Sequence, residues 1–188
     1  MYRAVAAEAM RRGLIDDPAA ILALAQAEAP EVGLDPLAPR IAIAGRDVTE
    51  AIRTPELSAQ VSKVATIQVV RDILTTQMRG LIKAHAPIVV EGRDITTKVC
   101  PGADVRVLLV ADPAERIRRR EAELAGAADR SAVTDQVVRR DRDDATMSQF
   151  ETPAPGVTLI DSTHLSLDEV VQAVLDLIPV RRPRGKAG

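Results

Sequence analysis

Apolar residues return at helical spacing near the start of the chain, where Val5, Ala6, Ala9 and Met10 form a stripe and predict a helix over 1–12. That helix would begin on Met1, with no capping side chain before it. A second helix is better specified: Asp17 can cap it, Pro18 suits its first position, and the alanine-rich stretch 19–28 continues it. Gly33, Pro36 and Pro39 break the pattern, and 40–45 reads as a short strand that turns at Gly45. Pro55 opens a predicted helix reaching Val64. A longer helix is expected over 68–84, with Val69, Ile73, Gln77 and Leu81 at four-residue intervals. Continuous apolar runs at 88–91, 104–110 and 157–160 suit strands buried on both faces. Asp112-Pro113 opens a helix predicted over 114–124, and another is expected from Ser131 or Thr134 to 144. Ser166 and Glu169 form a capping box that leads a last helix to 178. Strands and helices in this order predict an α/β fold, a parallel sheet with flanking helices.

Composition narrows the functional classes. A chain of 188 residues fits one domain, expected over 1–180, with 181–188 as a flexible basic tail. Cys100 is the one cysteine and cannot form an internal disulfide, which fits a cytoplasmic protein. No apolar run is long enough to span a bilayer, so no membrane partner is expected. A net charge of −2, with Tyr2 and Phe150 as the sole aromatic residues, supplies neither a basic coat nor stacking platforms. No nucleic-acid partner is expected. His85 and His164 stand alone, so no metal centre built from protein ligands is expected.

The segment Val89-Val90-Glu91-Gly92-Arg93-Asp94 carries the strongest chemical signal. Charged residues that follow a buried strand sit at the end of the sheet where α/β proteins bind ligands. Arg93 offers a planar fork suited to phosphate, and Asp94 can accept hydrogen bonds from an amine or hydroxyl. A turn that simply needs polar residues is the plainer alternative. Arg116, Arg119 and Arg120 share one helical face, and Arg139, Arg142 and Asp143 repeat the arrangement beyond the small-residue break at 125–128. Two such helices suit a lid closing on phosphates, or else solvated faces paired with Glu115, Glu121 and Asp141. The chain contains no Gly-x-x-x-x-Gly-Lys-Ser/Thr loop.

Taken in order, Met1-Tyr2-Arg3-Ala4, the block from Gly45 to Glu56, Ser62 to Arg71, Glu91-Gly92-Arg93-Asp94, Pro101 to Asp104, Asp141 to Asp144 and Asp161-Ser162-Thr163 resemble the bacterial cytidylate kinases, nucleoside-monophosphate kinases of the P-loop type. The resemblance covers nearly the whole chain. It implies a P-loop kinase-like parallel sheet, a nucleotide-binding insertion near 35–70 and a lid near 116–142. It implies transfer of phosphate from ATP to CMP and dCMP, giving CDP and dCDP, with Mg²⁺ accompanying ATP and the chain acting as a monomer. Tyr2 and Arg3 would lie at the nucleotide and its phosphate, Ser62, Arg71 and Asp94 would read cytosine, and Arg93 would be a second phosphate ligand. Arg139 and Asp143 would contact the sugar, while Arg116, Arg119, Arg120 and Arg130 would serve near the transferred phosphoryl group.

Two departures from the family pattern stand out. Thr146 occupies a position where relatives place a phosphate-binding arginine. The strand, phosphate loop and first helix that precede the family's Tyr-Arg pair are not in this sequence, so the first strand and P-loop are expected to be missing. On this reading Met1 is an internal methionine of a longer protein, and residues 1–188 alone bind cytidine nucleotides without turnover. The alternative is a non-catalytic cytidine-nucleotide-binding or regulatory protein.

Overall fold

A computed structural model describes residues 1–124 and 152–179. The helix expected after Ser131, the far part of the lid and the tail at 181–188 lie outside the described residues. The chain forms two compact units, Met1–Val90 and Glu91–Gly188.

The first unit is built around helix α1 (Tyr2–Arg11), whose Ala4, Val5, Ala6 and Ala9 are fully buried, close to the stripe read from the sequence. Small side chains let neighbours approach this helix closely. Helix α2 (Pro18–Ala27) packs on it through Ile21, Leu24 and Ala25, and Asp17 caps it by accepting from the amides of Ala19 and Ala20. Strands β1 (Glu31–Val32), β2 (Ile41–Ile43) and β3 (Arg46–Asp47) follow as an antiparallel sheet. The sequence pointed to the middle strand alone. Its partners are two residues long, too short to show alternation. Ala44 (φ +51) and Gly45 (φ +70) turn the hairpin with two left-handed residues, the geometry that joins β2 to β3 most tightly.

A 3₁₀ turn (Ala51–Arg53) leads to helix α3 (Pro55–Ser58), capped by the Thr54 hydroxyl, and then to helix α4 (Val61–Ala65). The sequence predicts one continuous helix over 55–64, but the chain breaks at Ala59 and Gln60. There the Gln60 amide bonds the Leu57 carbonyl three residues back instead of continuing the four-residue ladder, just after Ser58, whose hydroxyl bonds the Thr54 carbonyl and accepts from Arg3. Helix α5 (Gln68–Ala84) has the predicted bounds but presents a different face. Val70 and Leu74 are buried, whereas Val69 is 50% exposed. Two apolar stripes lie side by side on this helix, and packing against α2 and α4 selects one of them.

The expected strand at 88–91 does not form. The segment pairs with no strand among the described residues, and Val89 is 94% exposed. An apolar run becomes a strand only when a neighbour completes its hydrogen-bond ladder.

In the second unit, β4 (Val107–Val110) and β5 (Thr158–Asp161) pair in parallel with Leu108 opposite Leu159. Helix α6 (Pro113–Leu124) follows β4, and α7 (Leu167–Leu175) follows β5 behind a complete Ser166–Glu169 capping box. Parallel pairing with a helix after each strand bears out the α/β class. The strand expected over 104–110 is shorter, because only its last four residues have a partner in β5.

Candidate functional site

Helix α1 brings its first two side chains to the two ends of the helical segment at 51–71. Arg3 donates through one Nη to the Ile52 carbonyl and to the Ser58 hydroxyl at 3.0 Å. It thereby braces the 3₁₀ turn against α3. Beside it, the Tyr2 ring lies under Arg71, whose guanidinium carbon stands 5.9 Å from the ring centroid. Arg71 also donates to the Ala65 carbonyl, 3.2 Å away at the end of α4. Ser62 sits one turn earlier on that short helix, and its carbonyl accepts from the Thr66 hydroxyl. Three expected residues, Tyr2, Arg3 and Arg71, therefore gather where α1 meets α3, α4 and the first turn of α5, and Ser62 lies on α4 itself.

Glu8 lies at the other end of α1 and was not singled out by sequence. It is 1% exposed, takes a forked pair of bonds from Arg11 (2.9 and 2.6 Å) and a third from Arg12 at 2.6 Å. Arg12 reaches on to Glu28 beyond α2. The bond from Arg11, joined by that from Arg12, outweighs burial and holds the Glu8 carboxyl down at about 2. The i+3 and i+4 spacing to Arg11 and Arg12 was the available signal. Ser58 offered none, since its contact with Arg3 crosses 55 residues.

In the second unit, Gly92 places Arg93 and Asp94. Its φ of +157° disfavours a side chain, and an added Cβ would stand 3.0 Å from Cγ1 of Ile95. Arg93 is exposed and Asp94 half-buried. The Asp94 carbonyl accepts from the amides of Lys98 and Val99, which starts a single wide π-type turn (Ile95–Val99). Gly92→Ala is expected to cost about 1–2 kcal/mol in strain and to weaken any ligand held by Arg93 and Asp94. Urea unfolding beside a CMP titration measures both effects, and unchanged values for both would refute this account of the turn.

Among the arginines of α6, Arg119 is engaged within the unit. Its Nη groups donate to the Ser162 hydroxyl (3.2 Å), the Ser162 carbonyl (2.6 Å) and the Leu165 carbonyl (3.4 Å), while Nε bonds Glu115. Ser162 is 3% exposed and donates to the Val110 carbonyl, so Arg119 ties α6 to the exits of both strands. Glu115 accepts from Arg118 as well, and these bonds, Arg118's foremost, hold its carboxyl at about 2. Part of the arginine face is thus the paired surface that the plainer reading described. Arg116 and Arg120 are half-buried on the same helix. Arg130, Arg139, Asp143 and Thr146 lie outside the described residues. Among the described residues, no three His, Cys, Asp or Glu side chains gather as a metal site, and no helix is long and apolar enough to cross a membrane.

The family model described as cytidylate kinase matches residues 1–180. The cytidylate kinase of Cutibacterium acnes is 54% identical over 182 residues, covering 96% of this chain and 82% of the relative. That of Streptomyces avermitilis is 38% identical, over 96% of this chain and 79% of its own length. The Synechococcus protein named bifunctional pantoate ligase/cytidylate kinase is 41% identical over 95% of this chain and 37% of its own length. These matches lend no support to the expectation that the chain lacks turnover. With the resemblance in the sequence extended by matches over almost its full length, the chain belongs to the cytidylate kinase family.

Proposed function

We propose that the protein transfers phosphate from ATP to CMP, and to dCMP, giving CDP and dCDP. Support comes from the family match over residues 1–180 together with the grouping of Tyr2, Arg3 and Arg71 in the first unit, where Ser62 lies on the neighbouring α4. In this reading Arg71 and Ser62 donate to the ring acceptors of cytosine. Asp94 accepts from the exocyclic amine, a pairing that uracil's carbonyl cannot make. Arg3 and Arg93 hold the phosphate of CMP as charge-assisted donors. Arg139 and Asp143 contact the sugar. Arg116, Arg120 and Arg130 stand near the transferred phosphoryl group, and Arg119 positions the helix that carries the first two.

Phosphoryl transfer asks the protein chiefly for positioning and for charge opposite the phosphate oxygens, which arginines on separate segments supply. Mg²⁺ enters with ATP as substrate, carried on the phosphate oxygens. The monomeric state and cytoplasmic location belong to this proposal as well.

The test is a comparison of CMP, UMP and AMP as acceptors, with phosphorus NMR following diphosphate formation from ATP and calorimetry following binding. CMP is expected to be bound and converted in preference to the other two. Equal treatment of the three monophosphates would sink the proposal.

A further inference from the structure

An arginine that reads a flat base must present its fork in one plane, yet its guanidinium ends a stem with four rotatable bonds. In this protein an aromatic ring and a backbone carbonyl both engage the Arg71 head. The Tyr2 ring lies at 5.9 Å from the guanidinium carbon, within the range where a ring face attracts a cation. The Ala65 carbonyl takes one Nη hydrogen at 3.2 Å. The ring and the carbonyl belong to different elements, α1 and α4, which pack against each other. Tyr2 is half-buried and packs against the core cluster that includes Val5, Ala6, Val64 and Val70. A ring held against a core has less freedom than the arginine stem, so it can serve as the plate against which the guanidinium settles.

We propose that Tyr2 is a positioning residue for base recognition, its ring fixing the Arg71 guanidinium in the orientation that discriminates cytosine from uracil. The inference rests on the reading of Arg71 as a cytosine ligand given under Proposed function. The chemistry is specific. Cytosine presents two adjacent acceptors, O2 and N3, to a donor fork, whereas uracil carries a hydrogen on N3. A guanidinium held in plane rewards the first arrangement and opposes the second. A guanidinium free to turn can satisfy O2 of either base, and the distinction shrinks. Tyr2 would thus affect selectivity without touching the base.

Tyr2→Phe keeps the ring face, and Tyr2→Leu removes it while keeping an apolar wedge. Calorimetric titrations of CMP and UMP into the full chain should find Tyr2→Phe close to the parent protein. Tyr2→Leu should weaken CMP about fivefold and narrow the ratio of CMP to UMP affinity. In an Arg71→Met background the same change should add no further loss, because the group it positions is gone. An equal loss from Tyr2→Leu with and without Arg71, or an unaltered CMP-to-UMP ratio, would overturn the inference while leaving Arg71 as a base reader. Arg71→Met binding CMP as well as the parent would instead overturn the base-reading role itself, and this proposal with it.

A second measurement needs no change at position 2. Tyr2 is the one tyrosine and the chain has no tryptophan, so tyrosine emission reports on this ring alone. Arg71→Met should alter that emission, and identical spectra from the two proteins would count decisively against the pairing.

Discussion

Arg119→Met is expected to destabilise the second unit by about 2 kcal/mol and to leave CMP affinity nearly unchanged. Hydrogen bonds from a charged donor contribute roughly 1.5–3 kcal/mol each when lost alone, and part of this returns because Arg119 is partly open to water. Three acceptors at Ser162 and Leu165 each lose the bond from Arg119, two of them carbonyls that follow β5, and the Ser162 carbonyl keeps only its bond from the Leu165 amide. Methionine retains most of the apolar stem, which separates the lost bonds from lost packing. Lysine should not rescue the variant, since one ammonium cannot reproduce a fork spanning three oxygens. The expected signature is faster amide exchange at Ser162 and Leu165, whose N–H groups bond Val110 and Ser162. A large fall in phosphoryl transfer with unchanged exchange and stability would return Arg119 to the phosphates instead.

The second large effect lies in α1. Glu8 titrates at about 2 in the folded protein, against roughly 4.3 for an unperturbed side chain. A folded pKa below the unfolded one gives stability that is complete above the unfolded value and lost as pH falls through the folded one. For Glu8 that window runs from about pH 5 to pH 2. A pKa lowered this far corresponds to about 3 kcal/mol, reduced to about 2 because Arg11 and Arg12 remain partly solvated. Glu8→Gln should therefore be less stable by about 2 kcal/mol at neutral pH, and the gap should close as pH approaches 2. Urea unfolding of both proteins across this range gives the comparison. Carboxylates such as Glu115 titrate in both and cancel. A gap that stayed constant with pH would mean that packing, and not the Glu8 charge, sets the difference.

What the sequence disclosed follows how local each signal was. Asp17 with Pro18 and Ser166 with Glu169 are complete within a few residues, and both helix starts formed as expected. The bounds of α5 were legible too, yet its buried face was not, because Val69 and Val70 begin competing stripes that only neighbours can choose between. The segment at 88–91 had a strand's composition and lacked a pairing partner among the described residues. The same division holds for the candidate site. Residue types at Tyr2, Arg3, Ser62 and Arg71 could be named in advance through the family resemblance. Their bonds to Ile52, Ser58 and Ala65 could not, since backbone carbonyls carry no residue signature and the chain separations reach 55 residues.

The brace made by Arg3 has an outcome for affinity. One Nη of its head is already committed to a main-chain oxygen and a hydroxyl before any anion arrives. Both bonds leave from that single nitrogen, so they fix the direction of the guanidinium without spending its whole set of five N–H donors. An anion that meets the head, as proposed for the phosphate of CMP, then has less side-chain freedom to freeze. The fold would have met part of that ordering cost in advance.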